Sequence, residues 1–308
     1  MGVLLTIPWI KPEPIRLFPL PDVSWLPDAV YVQPFGTMVA IAVLVGTVVA
    51  RRKALREGIH PRVMGELLGY IFIGGFVLGH VLDAVFYHWD VVVAQPWFVL
   101  ELWNGLSSFG GFVGGVLGAL LWTRRRGYSF IAFADPGAYA FPFGWIFGRL
   151  GCFLAHDHPG AISDFPLAVA DYRVEGMLPP YPPRHDLGLY EAIVAAVIAA
   201  LFWALGKKRR RRGFYLALLP ILYAPVRFGL DFLRATDVPQ GDPRFLGLTP
   251  GHYGAILLLL LGTGVALRVW RGPEVSVPPD ARWVEEEPEP GPPRVHGVAG
   301  KGGSPPMG

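Results

Sequence analysis

The sequence predicts an all-α, polytopic membrane protein of about seven transmembrane helices, with its N-terminus outside and its C-terminus in the cytoplasm. Three observations carry that reading. Hydrophobic residues make up 52% of the chain and charged residues only 17%, against about 25% charged in a soluble domain, and the mean hydropathy is +0.40. Apolar runs long enough to cross a bilayer, roughly 20 residues each, recur along the chain. Clusters of basic residues follow alternate runs, so that a seven-span path gathers them on one face of the membrane.

Taken in order, residues 1–28 form an outer segment, rich in proline and without the sustained apolar core of a cleavable signal. Residues 29–271 form the membrane domain. Its first span is the uncharged run 29–50, and its second, 67–87, is interrupted by His80 and Asp83. The third, 102–123, carries Gly110, Gly111, Gly114, Gly115 and Gly118, a small-residue spacing that implies close helix packing. The fourth, 131–154, contains Asp135 and Arg149; the fifth is 188–206, the sixth 214–233 and the seventh 252–270. Between the fourth and fifth spans, residues 155–187 are dense in Pro-Gly and Pro-Pro turn signals and form an outer loop that can cap the membrane domain. Residues 272–308, rich in Glu, Pro and Gly, read as a disordered cytoplasmic tail.

The charge pattern fixes the orientation. Arg51, Arg52 and Lys53 follow the first span, Arg124, Arg125 and Arg126 the third, and the basic run 207–212 the fifth; Arg268 and Arg271 close the seventh. The positive-inside rule makes their side cytoplasmic. A single cysteine, Cys152, excludes an intrachain disulfide and reads as a small packed residue.

Ionisable groups inside a bilayer are costly and need a partner, a cavity or a function. Arg227, Asp231 and Arg234 stand at i, i+4 and i+7, on one helical face. Arg149 lies late in the fourth span, His80 and Asp83 late in the second, Tyr190 and Glu191 early in the fifth. All of these fall near the outer end of the spans. Mutual neutralisation of Arg227 and Asp231, with Arg234 snorkelling to headgroups, would account for a single helix. Four helices contributing at one depth, with arginines in excess, point to a bound anion, and arginine suits bidentate phosphate contact. The His156-Asp157-His158 run has no further ligands at a defined spacing, so no metal is expected there. Ser107 and Ser108 do not sit in a Gly-x-Ser-x-Gly elbow.

Four segments together resemble a known family. The run Phe143-Gly144-Trp145-Ile146-Phe147-Gly148-Arg149-Leu150-Gly151-Cys152-Phe153 resembles the signature of bacterial prolipoprotein diacylglyceryl transferases. Leu106-Ser107-Ser108-Phe109-Gly110-Gly111 is similar to that family's Ser-x-His-Gly-Gly segment. Arg184-His185-Asp186-Leu187-Gly188-Leu189-Tyr190-Glu191 is similar to its Arg-His-Pro-Ser-Gln-Leu-Tyr-Glu. Arg227-Phe228-Gly229-Leu230-Asp231-Phe232-Leu233-Arg234 is similar to its Arg-Phe-x-x-Glu-x-x-Arg. Order and internal spacing agree across residues 32–268.

The resemblance implies an enzyme of lipoprotein biosynthesis in the bacterial plasma membrane. It would transfer diacylglyceryl from phosphatidylglycerol to the lipobox cysteine thiol of a precursor protein, releasing glycerol phosphate. It implies catalytic roles for Arg149 and Arg227 at the phosphate, with Asp157 where the family has Glu. It places Arg234, Asp231, Tyr190, Glu191 and His185 around the bound lipid. The implied partners are phosphatidylglycerol, lipobox precursors and the bilayer, without a cofactor, metal or nucleic acid. The chain departs from the pattern at Phe109, where the family has His, at Phe35 for Tyr, at His80 for Arg and at Cys152 for Asn. Phenylalanine has no proton chemistry. The expected base is therefore His80, tuned by Asp83 one turn on, with His156, His158 and His185 as alternatives. The competing expectation is a divergent paralogue that binds phospholipid or lipoprotein without transfer.

Overall fold

The computed structural model describes residues 6–21, 28–101, 105–239 and 241–283. The expected start of the third span at 102–104, and the tail from 284 onward, lie outside the described residues. A two-stranded antiparallel ribbon, β1 (Ile15–Pro19) with β2 (Ala29–Val32), precedes the helices. The first helix, α1 (Pro34–Arg56), therefore starts five residues later than the apolar run suggests. Residues 29–32 are equally apolar but pair as a strand, and Pro34 stands in the first turn of the helix, where its missing N–H costs no hydrogen bond.

Then follow α2 (Pro61–Tyr87), a short α3 (Trp89–Ala94), a 3-10 turn at Pro96–Leu100 and α4 (Ser108–Arg126). Ser107 caps α4 by accepting from the Gly110 N–H. Next come α5 (Phe130–Ala155), β3 (Pro159–Ile162), β4 (Arg184–Asp186), α6 (Leu187–Leu205), α7 (Phe214–Asp231) and α8 (Pro250–Arg271). Six of these helices are long and apolar enough to cross a membrane. The remaining long helix, α4, is 19 residues, glycine-rich and ends on Arg124, Arg125 and Arg126. The chain is a polytopic all-α membrane protein.

The helices pack in pairs: α4 along α2, α1 along α5, α8 along α7, with α5 also against α6 and α7. The glycine stripe of α4 makes the first pairing possible. A Cβ on Gly110 would lie 2.9 Å from the Gly79 Cα, and one on Gly114 would overlap the Gly74 carbonyl oxygen. The two backbones touch, the packing that small residues permit within a bilayer.

The basic clusters gather at one end of the bundle. Arg212 donates to the Glu57 and Val275 carbonyls, Arg211 to those of Trp270 and Gly272, and Arg126 pairs with Glu66. The first part of the expected tail is folded here and not free. Val277 and Ala281 are buried in a cluster with Ala54, Ile59, Met64, Trp122 and Phe133, and Trp283 packs on His60. Alternating apolar residues in 275–283 find a hydrophobic surface among helix ends, which composition alone did not reveal.

The opposite end carries the site. There β3 pairs antiparallel with β4 on one edge and, through Ala161 N–H to the Leu233 oxygen and Ala235 N–H to the Pro159 oxygen, with the segment after α7 on the other. The N-terminal segment joins this cap: Ile7 exchanges hydrogen bonds with Ala168 and Ala170, and Trp9 stacks on His156 at 3.9 Å.

Candidate functional site

Arginines from two helices converge on one carboxylate. Glu191 follows the N-terminus of α6, which Asp186 caps by accepting from the Leu189 N–H at 3.0 Å. Its side chain is 0% exposed, so an unpaired charge there would be strongly unfavourable. Arg149 from α5 sets Nε 3.1 Å from one Glu191 oxygen, and Arg227 from α7 sets Nε 3.7 Å from the other. Tyr223, one turn before Arg227, donates its hydroxyl to Glu191. Arg149 also lies over the Trp145 ring at 4.4 Å, a cation–π contact that fixes the guanidinium plane. The Arg149 Nε–H is near Glu191 without being aligned on it, a buried donor without a proper acceptor.

Asp231, at the last residue of α7 and also fully buried, binds Arg227 and Arg234 together. The helix ends at Asp231, so Arg234 lies in the following turn, with Nε 2.9 Å from the carboxylate and an outer arm 2.6 Å from Asp242. Thr249, the residue before α8, donates its hydroxyl to the same Asp231. Sequence reasoning missed Thr249, Tyr223 and Asp242: Thr249 reaches Asp231 from the start of α8, Tyr223 reaches Glu191 across from another helix, and Asp242 reaches Arg234 from the loop after α7. On the buried side, then, three guanidinium groups share two carboxylates.

Asp157 is brought to the same place by the end of α5. His156 adopts a left-handed conformation (φ 53°) and reverses the chain. Asp157 Oδ1 then lies 2.5 Å from His158 Nδ1, and His158 Nε2 lies 3.1 Å from Arg149 Nη1. Cys152 Sγ is 3.8 Å from the same Nη1. Cys152, Asp157 and His158 offer three possible metal ligands within 4.8 Å of one another. Arg149 Nη1 contacts both Sγ and Nε2, and a second cation there would be repelled.

Two further expected site residues form the rim. His185 Nδ1 is 2.7 Å from the Tyr190 hydroxyl, which donates to the Leu167 carbonyl. Burial pushes the His185 pKa down, so the ring is neutral at pH 7. Arg184 beside it is fully buried, and it grips Asp237 with two hydrogen bonds and donates to the Gly160 carbonyl. Together these pin the outer loop over the arginines.

His80 is a correction. Its Nδ1 lies 3.2 Å from the Gly105 oxygen and its Nε2 3.0 Å from the Val99 oxygen, with the ring 2% exposed. Asp83 pairs not with His80 but with His88, at 3.6 Å. Both His80 nitrogens face backbone carbonyls at hydrogen-bond distance, so the ring braces the segment before α4. The i, i+3 spacing that suggested a dyad is real, but the loop residues between α2 and α4 claim the imidazole first. Phe109 is 68% exposed on the first turn of α4.

A family model described as prolipoprotein diacylglyceryl transferase matches residues 24–268. Among curated proteins the chain is similar to the phosphatidylglycerol–prolipoprotein diacylglyceryl transferase of Chromohalobacter salexigens, 33% identical over 87% of this chain and 94% of that protein. It is also similar to the proteins of the same name from Nitratidesulfovibrio vulgaris, 30% identical over 84% and 94%, and Francisella tularensis, 28% identical over 87% and 96%.

Proposed function

The chain belongs to the prolipoprotein diacylglyceryl transferase family, and from that premise we propose that it transfers diacylglyceryl from phosphatidylglycerol to the lipobox cysteine of a precursor protein. The reaction makes a thioether. The thiol sulfur bonds to the glyceryl carbon that carries the phosphate, and the carbon–oxygen bond to that phosphate breaks. The phosphate leaves as glycerol phosphate and passes from one negative charge to two. A catalyst must therefore hold positive charge where the second negative charge appears.

The convergence of Arg149 and Arg227 on buried Glu191 carries this reading. The carboxylate fixes two guanidinium groups from separate helices side by side, and the unaligned Arg149 Nε–H is a donor that an incoming phosphate oxygen can satisfy. Asp231 holds Arg227 from the far side and ties Arg234 to the same cluster. Such donors, fixed before the reaction, need no rearrangement as charge develops. Under the positive-inside rule the basic end of the bundle is cytoplasmic. The site then opens at the outer leaflet of a bacterial plasma membrane, where a secreted precursor arrives.

The test uses membranes containing phosphatidylglycerol and a lipobox peptide. Arg149→Ala and Arg227→Ala are each expected to lower turnover by about 100- to 1,000-fold, the scale of one lost donor to a developing anion. Turnover in either variant equal to wild type would remove that arginine from the reaction.

A further inference from the structure

We propose that His158, held by Asp157, is the group that takes the proton from the acceptor thiol; the inference rests on the transferase reading above and supplies its acceptor-side residue. The hydrogen bonding decides the tautomer. Arginine has donors only, so at 3.1 Å from Arg149 Nη1 the His158 Nε2 must accept. Its Nδ1 then carries the hydrogen and donates to Asp157 Oδ1 at 2.5 Å. The ring is thereby fixed as a neutral imidazole whose one lone pair points at the arginine assigned to the phosphate. A carboxylate on Nδ1 and a lone pair on Nε2 is the arrangement of a histidine base.

The backbone makes the placement rigid. The left-handed residue His156 turns the chain back over α5, and the His158 carbonyl accepts from the Leu187 N–H at 3.2 Å. The His158 side chain is 21% exposed, so a thiol can reach it.

The other described histidines at this end have other partners. His156 is buried between Asp186 and the Ile10 carbonyl, His185 meets Tyr190 through Nδ1, His252 meets Thr249 through Nδ1, His80 faces two carbonyls, and His88 pairs with Asp83. Phe109, 68% exposed, contributes no proton acceptor.

The step balances as follows. Phosphate binding draws the Arg149 N–H from Nε2 to a phosphate oxygen and frees the lone pair. The thiol proton passes to Nε2, leaving an imidazolium beside Asp157. The sulfur electron pair forms the bond to carbon, and the carbon–oxygen pair leaves on the phosphate, which can then take the proton from the imidazolium as product departs.

The experiment measures kcat, KM for phosphatidylglycerol and imidazole rescue for wild type, His158→Gln and His158→Ala, with a lipobox peptide and phosphatidylglycerol vesicles. Glutamine keeps an acceptor toward Arg149 and a donor toward Asp157 but cannot take a proton at neutral pH. His158→Gln is expected to lose about 100-fold or more in kcat, the usual scale of a lost general base, with KM little changed, and added imidazole is expected to restore part of the His158→Ala rate. Wild-type turnover by His158→Gln would overturn the proposal. So would a loss seen only as a rise in KM and not rescued by imidazole. If wild type itself forms no diacylglyceryl peptide, the transferase reading fails first, and the proton acceptor with it.

Discussion

Glu191 is the residue on which the arrangement of the site depends. It neutralises two buried guanidinium groups that would otherwise repel each other, and it accepts from Tyr223. Breaking a buried ion pair from one side costs about 3–5 kcal/mol, because the partner charge is left uncompensated. Glu191→Gln is therefore expected to lower the thermal stability of the detergent-solubilised protein by that order, as thermal unfolding would measure; an unchanged midpoint would mean that the arginines do not rely on it. Asp237 gives a prediction in pH. The Arg184 guanidinium holds its carboxyl below the usual carboxylate range. Its contribution to the cap is thus complete above about pH 4 and is lost as pH falls through the lowered folded value. Proteolysis of the outer loop is expected to accelerate only in that acid range, and Asp237→Asn to show the same acceleration at neutral pH. The spacing of Arg227, Asp231 and Arg234 made their partnership legible in the sequence, because i, i+3 and i+4 neighbours meet on any helix. The link from His158 to Arg149 was not legible, since it depends on a left-handed conformation at His156, which a residue other than glycine rarely adopts.

At the scale of elements, the close approach of helix ends sets the geometry of the site. Gly251, in the first turn of α8, lies so near the cluster that a Cβ there would meet Asp231 and stand 2.8 Å from Arg227 Nη2. Gly251→Ala is expected to displace Arg227 and cut transfer roughly 10- to 100-fold, the cost of misplacing a catalytic group by about an ångström, without unfolding the chain. A single-turnover assay with a parallel melting curve separates the two effects. On the other pairing, Gly114→Ala pushes α4 off α2 and is expected to cost about 1–3 kcal/mol, as overpacking does, with little change in phosphatidylglycerol binding. Hydropathy made the spans legible and glycine spacing the close packing of α4, though not that its partner is α2. The strand at 29–32 and the folded segment 275–283 were not, because pairing partners and a receiving surface decide their state, and neither is local information.

For the whole molecule, two ends of opposite character follow from one chain: a basic end closed by residues 275–283, and an end where loop 155–187, the N-terminal segment and the turn after α7 cover buried ion pairs. Arg211 and Arg212 of the basic end are satisfied by backbone carbonyls, whereas Arg149 and Arg227 of the other end are held by buried carboxylates. That contrast separates topology from chemistry. A membrane-impermeant thiol reagent is expected to label Asp164→Cys in intact cells and Ser276→Cys only after lysis; the reverse pattern would invert the topology. Transfer itself is tested by incubating the purified wild-type protein with phosphatidylglycerol and a lipobox peptide and quantifying both products. One diacylglyceryl thioether is expected on the peptide for each glycerol phosphate released, with both lost in Arg149→Ala. Bound phosphatidylglycerol with no thioether formed and no glycerol phosphate released would contradict it.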